Sequence, residues 1–334
     1  MAFPAALLRA GYPYLTTLGM RRVTTFPMDV AIGDEGRLYV LGRTELGIGG
    51  NIRIINWDDE DLGTMADTGL TWPVCLIRDA DENLYVSDEG AHTITVYNKA
   101  GEEQAKWGSH GSAPGELDRP SGIAFDAAGE LWVADTLNHR IQHFSRDGSY
   151  LGGFGGPGSG EGEFNMPWGV SFDAEGDLYV VDWRNDRFQK FAPDGSFLMA
   201  VGRSGAGAGE FDRPAGIAID EQGDIYVADR GNDRVQLFDK TGRYVETFIG
   251  DATLSKMGRA YVMANQKTLR LREMVALEPQ KRLRAPASVR LDDEGRLYIA
   301  DFGSHRVQVY AKEAYPLRED EIMAAPRSPT LTTT

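Results

Sequence analysis

The sequence predicts an all-β fold, a six-bladed β-propeller of four-stranded antiparallel blades, on three observations. One unit recurs six times: its prolines are Pro27, Pro73, Pro120, Pro167, Pro214 and Pro286, spaced 46, 47, 47, 47 and 72 residues apart. A period of that size belongs to propellers, solenoids and arrays. Each unit carries four short apolar runs parted by turn residues, the pattern of an antiparallel meander. The last unit lacks its fourth run, and a segment near the N-terminus matches what is missing.

The clearest copy, 119–148, sets the template. Ser121 to Asp126 reads as the first strand, and A-A-G-E at 127–130 as a turn in which Gly129 takes positive φ without a Cβ clash. Leu131 to Ala134 is the second strand, Arg140 to Phe144 the third, and R-D-G turns the chain into a fourth, Tyr150 to Phe154. A single such sheet cannot bury both faces, whereas six arranged radially can. The copy that starts at Pro286 ends with its third strand near Tyr310. G-Y-P-Y-L-T-T-L-G at 11–19 matches G-S-Y-L-G-G-F-G at 148–155 and G-R-Y-V-E-T-F-I-G at 242–250, so the two ends of the chain are expected to share one blade and hide two open edges. The propeller then occupies 11–313, and 314–334 reads as a tail.

Two units carry insertions. The first has R-T-E-L-G-I-G-G at 43–50 between its second and third strands. Between the fifth and sixth lies a basic insert at 252–284, with Leu254, Met257 and Tyr261, then Leu269, Met274 and Leu277, at helical spacing. Asp251 is the expected N-cap and Asn265 the expected break between two helices. Strand alternation puts both insertions at one end of the central channel, so that mouth is expected to be lidded, and concave mouths are where ligands sit. The basic insert either packs on the acidic propeller or docks on a second copy as a homo-oligomer contact.

A formal charge of −15 speaks against nucleic acid and anionic membranes as partners, because both need a positive surface. Cys75 is the sole cysteine, so no internal disulfide forms; no apolar run is long enough to span a membrane, and the N-terminus makes a poor signal peptide. A cytoplasmic protein with a small-molecule or peptide ligand is expected.

Two sets of positions could carry chemistry. One place in the loop between strands two and three reads Ile52, His92, His139, Asp186, Asp233 and His305 around the ring. Imidazoles and carboxylates there would hold a divalent metal (Zn, Fe or Ca) if they converged on the axis; the plainer reading is that they satisfy loop hydrogen bonds. Two residues after each proline, three units have Gly122, Gly169 and Gly216, which let inner strands crowd the axis, and the others have Asp29, Cys75 and Ser288. A carboxylate, a thiol and a hydroxyl on one wall are candidate catalytic groups, with Asp29 as base. The competing reading makes Asp29 a turn cap, Cys75 a small buried hydrophobe and Ser288 incidental. The repeated Asp88, Asp135, Asp182, Asp229 and Asp301, and the arginines that follow, read as blade architecture because they recur in nearly every unit.

P-x-G-I-A-x-D-x-x-G-x-L-Y-V-A-D-x-x-N-H-R-I-Q-x-F, seen with variations at 120–144, 167–191 and 214–238, resembles the NHL repeat. The resemblance implies a propeller of a family that includes RNA- and protein-binding modules, sensor domains and the metal-dependent peptidylhydroxyglycine amidating lyase; gluconolactonase-like propellers are related hydrolases. In the amidating lyase, the resemblance implies, a zinc-binding histidine occupies a D-x-x-x-H position, matched here by Asp88/His92, Asp135/His139 and Asp301/His305. The expected function is a metal-dependent lyase or hydrolase acting at the lidded mouth on a small molecule or peptide. The alternative is a non-catalytic binding scaffold.

Overall fold

The computed structural model describes residues 7–45, 48–265 and 277–316. Six four-stranded antiparallel sheets stand around a central axis. Blades 1 to 5 run over 27–65, 73–107, 120–154, 167–201 and 217–248. Blade 6 takes Ser288–Leu291, Arg296–Asp301 and Arg306–Ala311 from the C-terminal side, and its outer strand is Tyr14–Leu18, paired so that Leu18 faces Val307. The expected ring closure is therefore present. A second clasp lies beside it: Leu7–Gly11 pairs with Glu313–Pro316, so regular pairing reaches past Ala314, where the sequence reads as tail.

The blades bury apolar side chains against one another because each sheet presents alternate residues to each neighbour. Tyr39, Tyr179, Tyr226 and Tyr298, all from second strands, are fully buried. Two hydrogen-bond devices join consecutive blades. The aspartate closing the second strand accepts the backbone N–H two residues before its own blade's proline, as Asp135 does from Asp118 (2.6 Å) and Asp182 from Asn165 (2.7 Å). The arginine that follows bonds Asp135 at 2.8 Å and then the carbonyls of Ser112, Ala113 and Glu116 in the connection from the preceding blade.

The insert differs from expectation at both ends. Its helix is Lys256–Ala264, capped by Ser255, whose hydroxyl accepts the Gly258 N–H at 3.0 Å. Asp251 instead donates its backbone N–H to Gln308 and Tyr310, because it continues the fourth strand of blade 5 onto blade 6. Asn265 is the C-cap; Leu269 and Met274 lie outside the described residues, and beyond them is one turn of helix, Glu278–Lys281. The first helix docks on the ring seam. Met257 packs against the apolar cluster that contains Leu18 and Val30, its N–H donates to Asp59 at 2.6 Å, and Lys256 faces Glu60 at 3.5 Å. Among the described residues, no helix is long and apolar enough to cross a membrane.

Candidate functional site

The five imidazole and carboxylate positions of the ring form a set of latches. His92, His139, Asp186, Asp233 and His305 all have left-handed backbones, with φ of 57°, 55°, 51°, 55° and 55°. Each accepts the N–H of the residue preceding the next blade's proline: Arg119 to His92 (3.2 Å), Met166 to His139 (3.1 Å), Arg213 to Asp186 (2.7 Å), Ala285 to Asp233 (2.6 Å) and Phe26 to His305 (3.1 Å). Acceptance at Nδ1 requires an unprotonated nitrogen, and burial lowers the pKa of His92 and His305 accordingly. No three of the five bring ligand atoms within 4.8 Å of one another, and His92 instead neighbours His110 and Asp118. A metal held jointly by these five residues does not fit this arrangement.

Asp29, Cys75 and Ser288 do come together, in the throat of the channel. The glycines opposite explain why the throat is narrow: a Cβ on Gly169 would meet the Ala215 carbonyl at 2.3 Å, and one on Gly122 the Trp168 carbonyl at 2.3 Å. The space left is about 30 Å³, room for a water or two. Asp29 is buried and fully engaged. Arg290 donates to both of its oxygens, Nε to Oδ1 at 2.9 Å, while the N–H groups of Val30 and Leu76 donate to Oδ1 and Oδ2 at 2.9 and 2.8 Å. Arg290 also lies 3.1 Å from Cys75 Sγ. Burial first, then the charge of Asp29, pushes the thiol up to about 12. Burial disfavours the Arg290 charge, yet Asp29 and Cys75 hold its pKa above the ordinary range. Ser288 Oγ is buried without a partner. Arg290 is the residue that sequence reasoning missed here, although its column otherwise reads Ala31, Ile77, Ala124, Ser171 and Ala218.

Above the throat the channel widens to a cavity of about 260 Å³ that shares Met28, Trp168 and Ala215 with it. Its wall is built by the residue immediately after the end of the second strand's repeated motif: Arg43, Glu89, Thr136, Trp183 and Arg230, joined by Arg119 and Met166. In blades 3 and 5 that residue opens a single 3-10 turn, Thr136–Asn138 and Arg230–Asn232. Glu89 is 7% exposed, and burial lifts its carboxyl to about 7, a rise moderated by the Arg43, Arg119 and Arg230 charges. Arg43 donates through Nε to the Pro73 carbonyl at 2.9 Å, lies 5.0 Å from the Trp72 ring, and leaves Nη2 buried with no partner. Burial lowers it to about 10. Arg230 lies over the Phe302 ring at 4.6 Å, and Trp168 and Trp183 have ring centroids 5.5 Å apart.

One titratable carboxyl among three guanidiniums, two indoles and two thioethers suits an anionic, partly apolar ligand. It does not suit a cation: the lining holds one carboxylate and no imidazole, so the metal that the family resemblance implies finds no donor set here. The described part of the insert contributes nothing to the lining, so it lids neither cavity nor throat.

A model of the NHL repeat matches residues 117–144 and 283–310, and one described as a 6-bladed beta-propeller matches 170–261. No curated protein matches the sequence. Among solved structures, a protein of unknown function from Bacteroides thetaiotaomicron VPI-5482 aligns over 91% of this chain and 76% of its own at 20% identity and a TM-score of 0.63. A gluconolactonase from Xanthomonas campestris aligns over 92% and 100% at 15% identity and 0.60. A virginiamycin B lyase from Staphylococcus aureus aligns over 92% and 89% at 14% identity and 0.55. At these identities the likeness is one of fold.

Proposed function

We infer that this chain, an NHL-repeat six-bladed β-propeller, is a lyase or hydrolase acting at the channel mouth on a small molecule or peptide that carries an anionic group. The observation that carries this reading is Glu89: a buried carboxyl lifted to about 7, lining a cavity beside a guanidinium with an unpartnered buried nitrogen. A carboxyl with a pKa near the working pH exchanges protons most effectively. In elimination Glu89 takes the proton from the carbon next to the activating group, the C–H electron pair forms a double bond to the adjacent carbon as that carbon's bond to the leaving oxygen breaks, and Glu89 returns the proton to that oxygen. In hydrolysis it takes the proton from the attacking water and returns it to the leaving oxygen. Arg43 and Arg230 bind the ligand's anion or the oxygen on which negative charge grows, in a site too buried for water to screen them. The indoles of Trp168 and Trp183 offer flat apolar surface to the rest of the ligand.

The test uses untagged protein and a panel of lactones, carboxylate-bearing esters and cyclic peptides, with binding followed calorimetrically and turnover by product. The reading expects at least one member to turn over, Glu89→Gln to lose that turnover while still binding, and Arg230→Gln to raise KM. Turnover undiminished in Glu89→Gln would overturn it. Tight binding of panel members with no conversion would favour the non-catalytic scaffold.

A further inference from the structure

At the opposite end of the blades, the turn between the first and second strands begins with an aspartate that sits beside the second strand's aromatic residue. In three blades a side-chain cation completes the group. In blade 4 Tyr179 donates to Asp173 Oδ2 at 3.1 Å, and Lys190, facing Tyr179 across the ladder, places Nζ 3.0 Å from Asp173 and 2.8 Å from Asp177. In blade 5 Tyr226 donates to Asp220, and Lys312 reaches across from blade 6 to within 2.5 Å of Asp220 and 2.9 Å of Asp224. In blade 6 Tyr298 donates to Asp292, which Arg296 meets at 2.5 Å.

Blade 3 keeps the acids and lacks the cation. Trp132 Nε1 donates to Asp126 Oδ2 at 3.0 Å, Glu130 stands where blade 4 has Asp177, and His143, facing Trp132 across the ladder, stands where blade 4 has Lys190. Among the described residues, the basic groups paired with Asp126 and Glu130 reduce to His143 alone. Its Nε2 lies 2.8 Å from Glu130 Oε2 and 3.6 Å from Asp126 Oδ2, is buried, and makes no hydrogen bond. All three potential ligand atoms lie within 4.8 Å of one another.

One imidazole and two carboxylates are a zinc-type donor set. A tetrahedral ion with bonds of about 2.1 Å keeps its ligand atoms roughly 3.4 Å apart, a spacing bracketed by the two distances above. The donors are also held from behind, as metal ligands need to be. Asp126 Oδ1 accepts the N–H groups of Ala128 and Glu130 at 2.9 Å each, and the Trp132 indole stacks on His143 at 4.2 Å with 15° between planes.

We propose that blade 3 binds a divalent transition-metal ion of the zinc class through Asp126, Glu130 and His143, the ion standing where Lys190 stands in blade 4. The site is independent of the mouth, and its role is to hold the blade.

The test takes the untagged full chain, stripped with chelator, and titrates Zn²⁺ calorimetrically, with Co²⁺ as a spectroscopic probe and Tm as a second readout. Expected are one equivalent assigned to this site, four-coordinate cobalt bands and a Tm that rises with zinc, all lost in His143→Ala and Asp126→Asn and kept in His92→Ala, which removes the other histidine-containing group. His143→Lys, which copies blade 4, should bind no ion at this site and melt no lower than the zinc-loaded protein, so that loss of binding is read on a folded chain. Zinc stoichiometry and cobalt bands unchanged in His143→Lys would overturn the proposal. So would a wild-type chain that takes up no zinc.

Discussion

The throat and the mouth of the channel each place a carboxyl beside arginine, and they do opposite things with it. In the throat, Arg290 grips both oxygens of Asp29 and two backbone N–H groups complete the shell. In the mouth, Glu89 feels three guanidiniums through space, and burial still dominates, lifting it to about 7. A buried carboxylate in direct contact with its counter-charge is committed to structure, whereas one that is buried but kept at a distance remains able to exchange a proton. The candidate site therefore lies where pairing is incomplete.

This contrast can be broken from either side. Removing the throat carboxylate has the largest expected effect: Asp29→Ala leaves the largely buried Arg290 without its carboxylate partner and should cost about 3 kcal/mol in denaturant unfolding. The mouth should respond in the other direction. The folded state holds the Glu89 proton more tightly than the unfolded chain does, so stability is lost as pH climbs from the ordinary carboxylate range through about 7. Glu89→Gln, which imitates the protonated form, should be more stable than wild type by up to about 3 kcal/mol at pH 8 and should match it near pH 4. Equal stability at both pH values would mean that Glu89 is not desolvated. Narrowness of the throat is tested by Gly169→Ala, whose Cβ must displace the Ala215 carbonyl and should cost about 1–3 kcal/mol by the same measurement. Smallest is the latch: His139→Leu should lose about 1 kcal/mol, and His139→Asp, which copies Asp186, should recover it with no change in metal content.

The interchange of His and Asp around the ring also shows why sequence and site diverge. Both residues present an acceptor at the same reach from a left-handed backbone, so a column that looks like a ligand set is a hydrogen-bonding requirement met in two ways. Blade boundaries, the closing strand and the crowding glycines were legible because each rests on a repeated local pattern. Glu89 was not, because its direction depends on the turn that follows a strand, a geometry the letters do not carry. A signal nevertheless exists: after the repeated aspartate, or Gly42 in blade 1, the residues read Arg43, Glu89, Thr136, Trp183, Arg230 and Phe302, five different side chains at six equivalent places amid repetition. Arg290 announced itself likewise, as one charge in an otherwise small or apolar column. The insert misled for a related reason: helical spacing predicts a helix, but which surface it covers was set by Asp59 and Glu60 on a distant turn.

The seam, where Leu18 pairs with Val307 and Leu7 with Pro316, makes the ring dependent on its own order of synthesis. The strand Tyr14–Leu18 has no sheet to join until Arg306–Ala311 has been made, and contacts between such remote segments are the slowest to form. Until then five blades can assemble while the sixth stays open along its outer edge. A chain truncated before 306 would carry every residue of the mouth and still present that edge, so the strand pairs of the seam act as the step that commits the molecule to being a ring.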